Sequence, residues 1–146
     1  MHHTFFVAGT PKPEPRPRWS KFRMYVPGTA DTWKWAVREA AEAAGIPMFP
    51  KASAVAVTLT FHKRRPLAHH VSGKRDRELK SGMPEWDWKK PDVDNLAKAV
   101  LDALGPWKKK PGIAWEDDDI VCELTVRKRL ADTPEQEGCS VTIWAL

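Results

Sequence analysis

The sequence predicts an α+β fold, a single domain over residues 1–146 in which a mixed β-sheet of about four strands carries two main helices on one face. Three observations predict it. Alternating and helical patterns follow one another as β, α, β, α, β, β along the chain. At 146 residues the chain is long enough for one core and small for two. Neither an internal repeat nor a low-complexity tract divides it.

The elements follow in order. Thr4 to Ala8 is rich in β formers and reads as the first strand. Gly9 to Trp19 cannot be helix, because Pro11, Pro13, Pro15 and Pro17 remove donors and fix φ. It is either a rigid connector or a stiff arm presenting Arg16 and Arg18. Asp31 to Ala44, ended by Gly45, reads as an amphipathic helix with Trp33, Ala36, Val37 and Ala40 as its buried stripe. Ala54 to His62 alternates, with Val55, Val57, Leu59 and Phe61 on one face of a half-buried strand.

Lys63 to Lys90 is polar, with Pro66, Gly73, Pro84 and little periodicity. So long an irregular segment reads either as a flexible basic loop that orders on a bound partner or as plain disorder. His69 and His70 lack the partner spacing of metal ligands. Trp86 and Trp88 either pack on the core or stack on unpaired bases.

Pro91 disfavours helix at Lys90, and Gly105-Pro106 stop it again, which frames a helix from about Val93 to Leu104. Leu96, Ala97, Val100, Ala103 and Leu104 share its core face. Val121 to Lys128 is a strand with Cys122, Leu124 and Val126 inward. A polar connection from Leu130 to Gly138 then leads to a last strand, Cys139 to Ala145. Cys122 and Cys139 read as small buried hydrophobes in strands rather than a disulfide. With no apolar run of 18 or more and no signal-like N-terminus, a cytoplasmic location and no membrane partner are expected.

With 24 Lys and Arg against 19 Asp and Glu, the net charge is +5, which suits an anionic partner. The bases gather at Lys12 to Arg23, Lys63 to Arg65, Lys74 to Arg77, Lys108 to Lys110 and Arg127 to Arg129. Each cluster alone is an ordinary solvated face, but together they surround one acidic centre. No Ser/His/Asp or Cys/His constellation competes, and no Gly-rich loop argues for a nucleotide cofactor.

That centre has two parts. Asp94, Lys98 and Asp102 form an i, i+4, i+8 stripe opposite the core face of the second helix. As a solvated face, it holds only an Asp94–Lys98 pair worth about 0.2–0.5 kcal/mol. Asp92 and Asp94 at the helix start exceed what a cap needs, however, and oxygen ligands of this kind suit Mg²⁺. Glu116-Asp117-Asp118-Asp119 adds four acids whose mutual repulsion a cation would relieve. The alternative for that run is an exposed turn before a strand.

Lys90-Pro91-Asp92-Val93-Asp94-Asn95-Leu96-Ala97-Lys98-Ala99-Val100-Leu101-Asp102-Ala103-Leu104, followed by Trp115-Glu116-Asp117-Asp118-Asp119-Ile120-Val121, resembles the RusA-type Holliday-junction resolvases of phages and prophages. The resemblance is strongest from Lys90 to Lys128 and extends to the strand, Gly-x-Pro turn and Arg-Pro-Arg segment at the start. It implies metal-binding aspartates at Asp92 and Asp94, a catalytic lysine at Lys98, and the second-motif acid at Asp118, with Asp117 the alternative. The chain departs from the pattern at Asp119 and Ile120, where a small residue and Gln are usual. The resemblance further implies a homodimer nicking opposing strands of a four-way junction.

The expected activity is therefore Mg²⁺-dependent phosphodiester hydrolysis on branched DNA, with Mn²⁺ as a substitute ion. Asp92, Asp94 and Asp118 would hold the metal, and Lys98 would stabilise charge on the phosphate. Arg16, Arg18, Lys21, Arg64, Arg65, Lys108, Lys109 and Lys110 would grip DNA. The rivals are a metal-dependent flap or fork nuclease and a basic DNA-binding protein without catalysis.

Overall fold

The computed structural model describes residues 1–146. In order, the chain forms β1 (His2–Ala8), β2 (Arg18–Trp19), β3 (Met24–Tyr25), α1 (Asp31–Ala43), β4 (Val55–Lys63), α2 (Val93–Leu104), β5 (Val121–Leu130) and β6 (Gly138–Ala145). The main sheet is mixed, in the order β1-β6-β4-β5. β6 runs antiparallel to both β1 and β4, whereas β4 and β5 are parallel neighbours. A parallel pair needs a crossover, and α2 lies within it.

Strand register sorts the faces. Val57 faces Ile143, Leu59 faces Val141, and Phe61 faces Cys139, with Phe5 and Val7 of β1 in line with Val141 and Cys139. These side chains form one core with Trp33, Val37 and Ala41 of α1 and Leu96, Val100, Ala103 and Leu104 of α2. Each fully buried Val, Leu, Ile or Phe contributes about 1.5–3 kcal/mol relative to exposure. The other sheet face carries Thr4, Thr142, Thr58, Thr60 and Ser140, and the Thr4 and Thr142 hydroxyls meet at 3.2 Å.

The α+β expectation therefore holds, with two helices on a four-stranded mixed sheet. Four local expectations need correction. β1 begins at His2, because its ladder to β6 continues to Trp144 and His2 stacks on that indole at 4.5 Å. The prolyl arm leads into a two-stranded ribbon, β2–β3, which periodicity does not disclose. On α1, Lys34 and Arg38 are buried, whereas Ala36 and Ala40 only pack at the edge of the core.

Along β5, Cys122 and Leu124 are exposed, since β5 is an edge strand at the margin of the helical layer; Val121 and Val126 pack against the core. Cys139 is buried, as expected, and both cysteines are free.

Arg38 explains its own burial. Its guanidinium donates to the carbonyls of Ala103 and Gly105 at 2.9 and 2.8 Å and to Pro111 at 2.7 Å. The last carbonyls of α2 have no intrahelical partner, so a buried cation there satisfies them and complements the helix dipole. No helix is long and apolar enough to cross a membrane.

Candidate active site

Two buried tethers place the acidic run. Trp115 is fully buried under the end of α2, with its indole N–H donating to the Leu101 carbonyl at 3.3 Å. Gly112 permits the tight turn before it, because a Cβ at that position would lie 1.8 Å from the Trp115 carbonyl oxygen. Ile120 is buried on the other side. The chain between these anchors must bulge outward, which brings the acids beside α2.

Within the bulge the acids have different surroundings. The Asp117 carboxylate accepts the Asp119 backbone N–H at 3.1 Å and starts the short 3₁₀ turn Asp118–Ile120. Asp118 is half-buried and lines one cleft, of about 250 Å³, with Asp94, Lys98, Val93, Leu101, Leu124 and Val126. A larger cleft of about 590 Å³ adjoins it, and there Asp118 shares the wall with Asp102, Glu116, Asp117, Glu14 and Lys34. Burial pushes the Asp118 carboxyl above the usual carboxylate range; Lys98 opposes the shift, and Asp102, Asp117 and Asp119 add to it.

α2 supplies the other wall. Asp92 occupies the N-cap position, yet its carboxylate makes no cap hydrogen bond. It accepts from the Lys90 ammonium at 3.0 Å instead, and that bond and charge hold its carboxyl below the usual range, helped by Lys128 and Arg16. Lys128 donates to the Pro91 carbonyl at 2.7 Å and to the Lys89 carbonyl, which fixes the turn carrying Asp92. Lys98 pairs with Asp102 at 3.3 Å rather than with Asp94, correcting the simple surface pair that the stripe suggested. Asp102, then Asp118 and Glu14, raise the Lys98 ammonium above its usual value.

Asp94, Lys98 and Asp118 thus line one cleft, and Asp92, outside that lining, is paired with Lys90. No three His, Cys, Asp or Glu side chains converge closely enough to hold a metal ion. Lys90 is paired with Asp92 and Lys98 with Asp102, so neither lysine bridges Asp94 and Asp118. The donors nevertheless suit a hard divalent cation, being carboxylates only.

The expected DNA contacts divide. Arg16, Arg18, Lys21, Lys109 and Lys110 are free of ion pairs, whereas Arg64 meets Glu137 at 3.3 Å and Lys108 meets Asp31 at 2.9 Å. Arg65 differs from the rest of the basic set. Its side chain is 3% exposed, bonded to Asp132 at 2.8 Å and to the Pro84 carbonyl at 2.7 Å, so it braces the loop.

The 63–90 segment runs beside β5 at its far end, through Leu130 N–H to Glu85 and Asp87 N–H to Lys128. Trp86 lies against Arg129, and Trp88 is exposed.

Glu14 escaped the sequence reading. Its N–H donates to the Asn95 carbonyl at 2.9 Å, and its carboxylate pairs with buried Lys34 at 2.5 Å. A lone acid among prolines and arginines was the available signal. This contact docks the N-terminal arm on the first turn of α2, and Arg16 follows near Asp92.

Among protein families, the model described as Endodeoxyribonuclease RusA matches residues 8–143. The chain belongs to the RusA family. Membership implies an endodeoxyribonuclease acting on Holliday junctions, a hydrolase whose relatives are generally divalent-metal dependent. The match spans both acidic walls and the arm. No curated protein matches the chain closely enough to add a named relative.

Proposed function

We propose that this RusA-family chain is a Mg²⁺-dependent resolvase that nicks opposing strands of a four-way DNA junction as a homodimer. The single observation that carries the reading is that Asp94 and Asp118, from separate segments, line one cleft with Lys98. Asp92, Asp94 and Asp118 would hold the metal, once Asp92 turns from Lys90. A bound divalent cation there supplies Lewis-acid charge stabilisation and an acidified water.

The chain's own groups do the rest. Asp102 fixes the Lys98 ammonium one turn along α2, and its charge keeps that ammonium protonated. Lys98 therefore acts as an electrostatic partner for the scissile phosphate and not as a base. Arg16, Arg18, Lys21, Lys109 and Lys110 hold flanking phosphates. A two-fold assembly matches a two-fold substrate.

The test is cleavage of a synthetic immobile four-way junction with Mg²⁺, beside a flap, a fork and a linear duplex of the same arms. Paired nicks confined to the junction, and absent from Asp94→Asn, are expected. Preferential cutting of flaps or forks would reassign the substrate. Metal-independent binding without cutting would leave a DNA-binding protein.

A further inference from the structure

We infer that the β2–β3 ribbon is a wedge whose Trp19 and Phe22 stack on unpaired bases at the branch point of the substrate. The ribbon pairs with no strand of the main sheet. Trp19 is 75% exposed and Phe22 88%, with Met24, Tyr25 and Val26 also exposed. A two-stranded hairpin is marginal in water even when it buries one face, so exposing so much apolar surface points to a ligand that covers it.

Charge selects the ligand. Residues 15–30 contain no Asp or Glu, but Arg16, Arg18, Lys21 and Arg23 surround the two aromatics, and none of the four is in an ion pair. Two copies of such a ribbon would repel each other. Aromatic rings interleaved with unpaired cations suit bases flanked by phosphates, because every base offers a π-face and each phosphate a negative charge. The Lys21 ammonium already lies 5.6 Å from the Phe22 ring centroid, so one phosphate and one base can be met together.

Position completes the case. Ser20 closes the turn: its N–H and hydroxyl donate to the Arg23 carbonyl at 2.7 and 2.8 Å, and the Arg23 N–H returns to its hydroxyl at 3.2 Å. Phe22 is thereby held at the tip. Both legs of the ribbon, Glu14-Pro15 on entry and Val26-Pro27 on exit, line the larger cleft that also contains Asp118. The wedge therefore rises from the rim of the active site, where a cleaved strand must pass. This inference rests on the junction reading only for the source of the unpaired bases.

The experiment uses a four-way junction with 2-aminopurine at the branch point, in calcium, and a linear duplex of the same arms. The wild-type chain is expected to raise the 2-aminopurine fluorescence as the base leaves its stack. Phe22→Ala and Trp19→Ala should each abolish that rise and weaken junction binding about ten-fold, with duplex affinity unchanged within about two-fold. Their melting temperatures should match wild type, since both side chains are exposed.

Unchanged fluorescence and affinity in both variants overturn the wedge. So does a sedimentation shift from dimer to monomer, which would make the ribbon a contact between copies. Cutting of the same junction in Mg²⁺ is followed in parallel. Wild-type cutting with indifferent variants leaves the nuclease and removes the wedge, whereas fluorescence lost in the variants without wild-type cutting does the reverse.

Discussion

The Lys98 ammonium donates to Asp102, one turn further along α2 at 3.3 Å, and leaves Asp94 unpaired on the turn before. A lysine bound to the acid behind it is oriented without neutralising the acids in front. Asp102 is thus a positioning residue for Lys98. Lys98→Met is expected to lower the single-turnover cleavage rate by about 10²–10³-fold while junction affinity changes less than about three-fold. Asp102→Asn should cost about ten-fold, with partial rescue by Asp102→Glu. Equal losses in binding and rate would make Lys98 a phosphate grip only.

The arm gives a prediction readable in salt. Arg16 and Arg18 have no carboxylate partner, and Glu14 docks the segment beside Asp92. Replacing both arginines with alanine should flatten the slope of log affinity against log salt by about 1.8, since each phosphate contact contributes about 0.9. An unchanged slope would make the arm a connector.

Much of this was legible in the sequence because it rests on local periodicity. The core face of α2 and the alternation of β4 follow from spacing alone, and both are buried as expected. The acidic motifs were legible as composition at a helix start and before a strand. What spacing could not supply were contacts made across the fold. Arg38 and Lys34 look like solvated helix residues until the end of α2 and Glu14 arrive beside them. Arg65 sits in a basic triplet, and only tertiary pairing with Asp132 separates it from its neighbours. β5 alternates as if half-buried, yet an edge position exposes Cys122 and Leu124.

Arg38 yields a stability prediction. Its guanidinium is buried and satisfies three carbonyls at the end of α2 and the following loop. Arg38→Met keeps the apolar stem but orphans those acceptors, and a loss of about 2–4 kcal/mol is expected in urea unfolding. Arg38→Lys should recover only part, since a single ammonium cannot reproduce the fork. A loss below about 0.5 kcal/mol would show that water replaces the guanidinium there.

His62 gives the pH dependence. Burial, then the Arg129 charge, holds its imidazole below the usual value, with Asp132 opposing. The unfolded chain therefore binds this proton more readily than the folded one. Its effect is absent well above the unfolded value near about 6.5 and becomes a penalty as pH falls through it. The melting temperature of wild type minus that of His62→Gln should fall by about 1–3 °C between pH 7.5 and pH 5. A pH-independent difference would mean that His62 titrates alike in both states.

The neighbouring acids Asp117 and Asp118 separate structure from chemistry. Asp117 spends its carboxylate on the Asp119 N–H, whereas Asp118 faces the cleft with Asp94 and Lys98. Asp118→Asn is therefore expected to lose cleavage by at least about 10²-fold, and Asp117→Asn to stay within about five-fold of wild type with a slightly lower melting temperature. Calcium gives a readout independent of turnover. Asp117→Asn should retain the stabilisation that calcium gives wild type, and Asp118→Asn should lose most of it, because an ion that binds only the folded chain raises stability in proportion to its affinity. The reverse order in both assays would move the ligand to Asp117, and the turn between Trp115 and Ile120 would then have to rotate when metal binds.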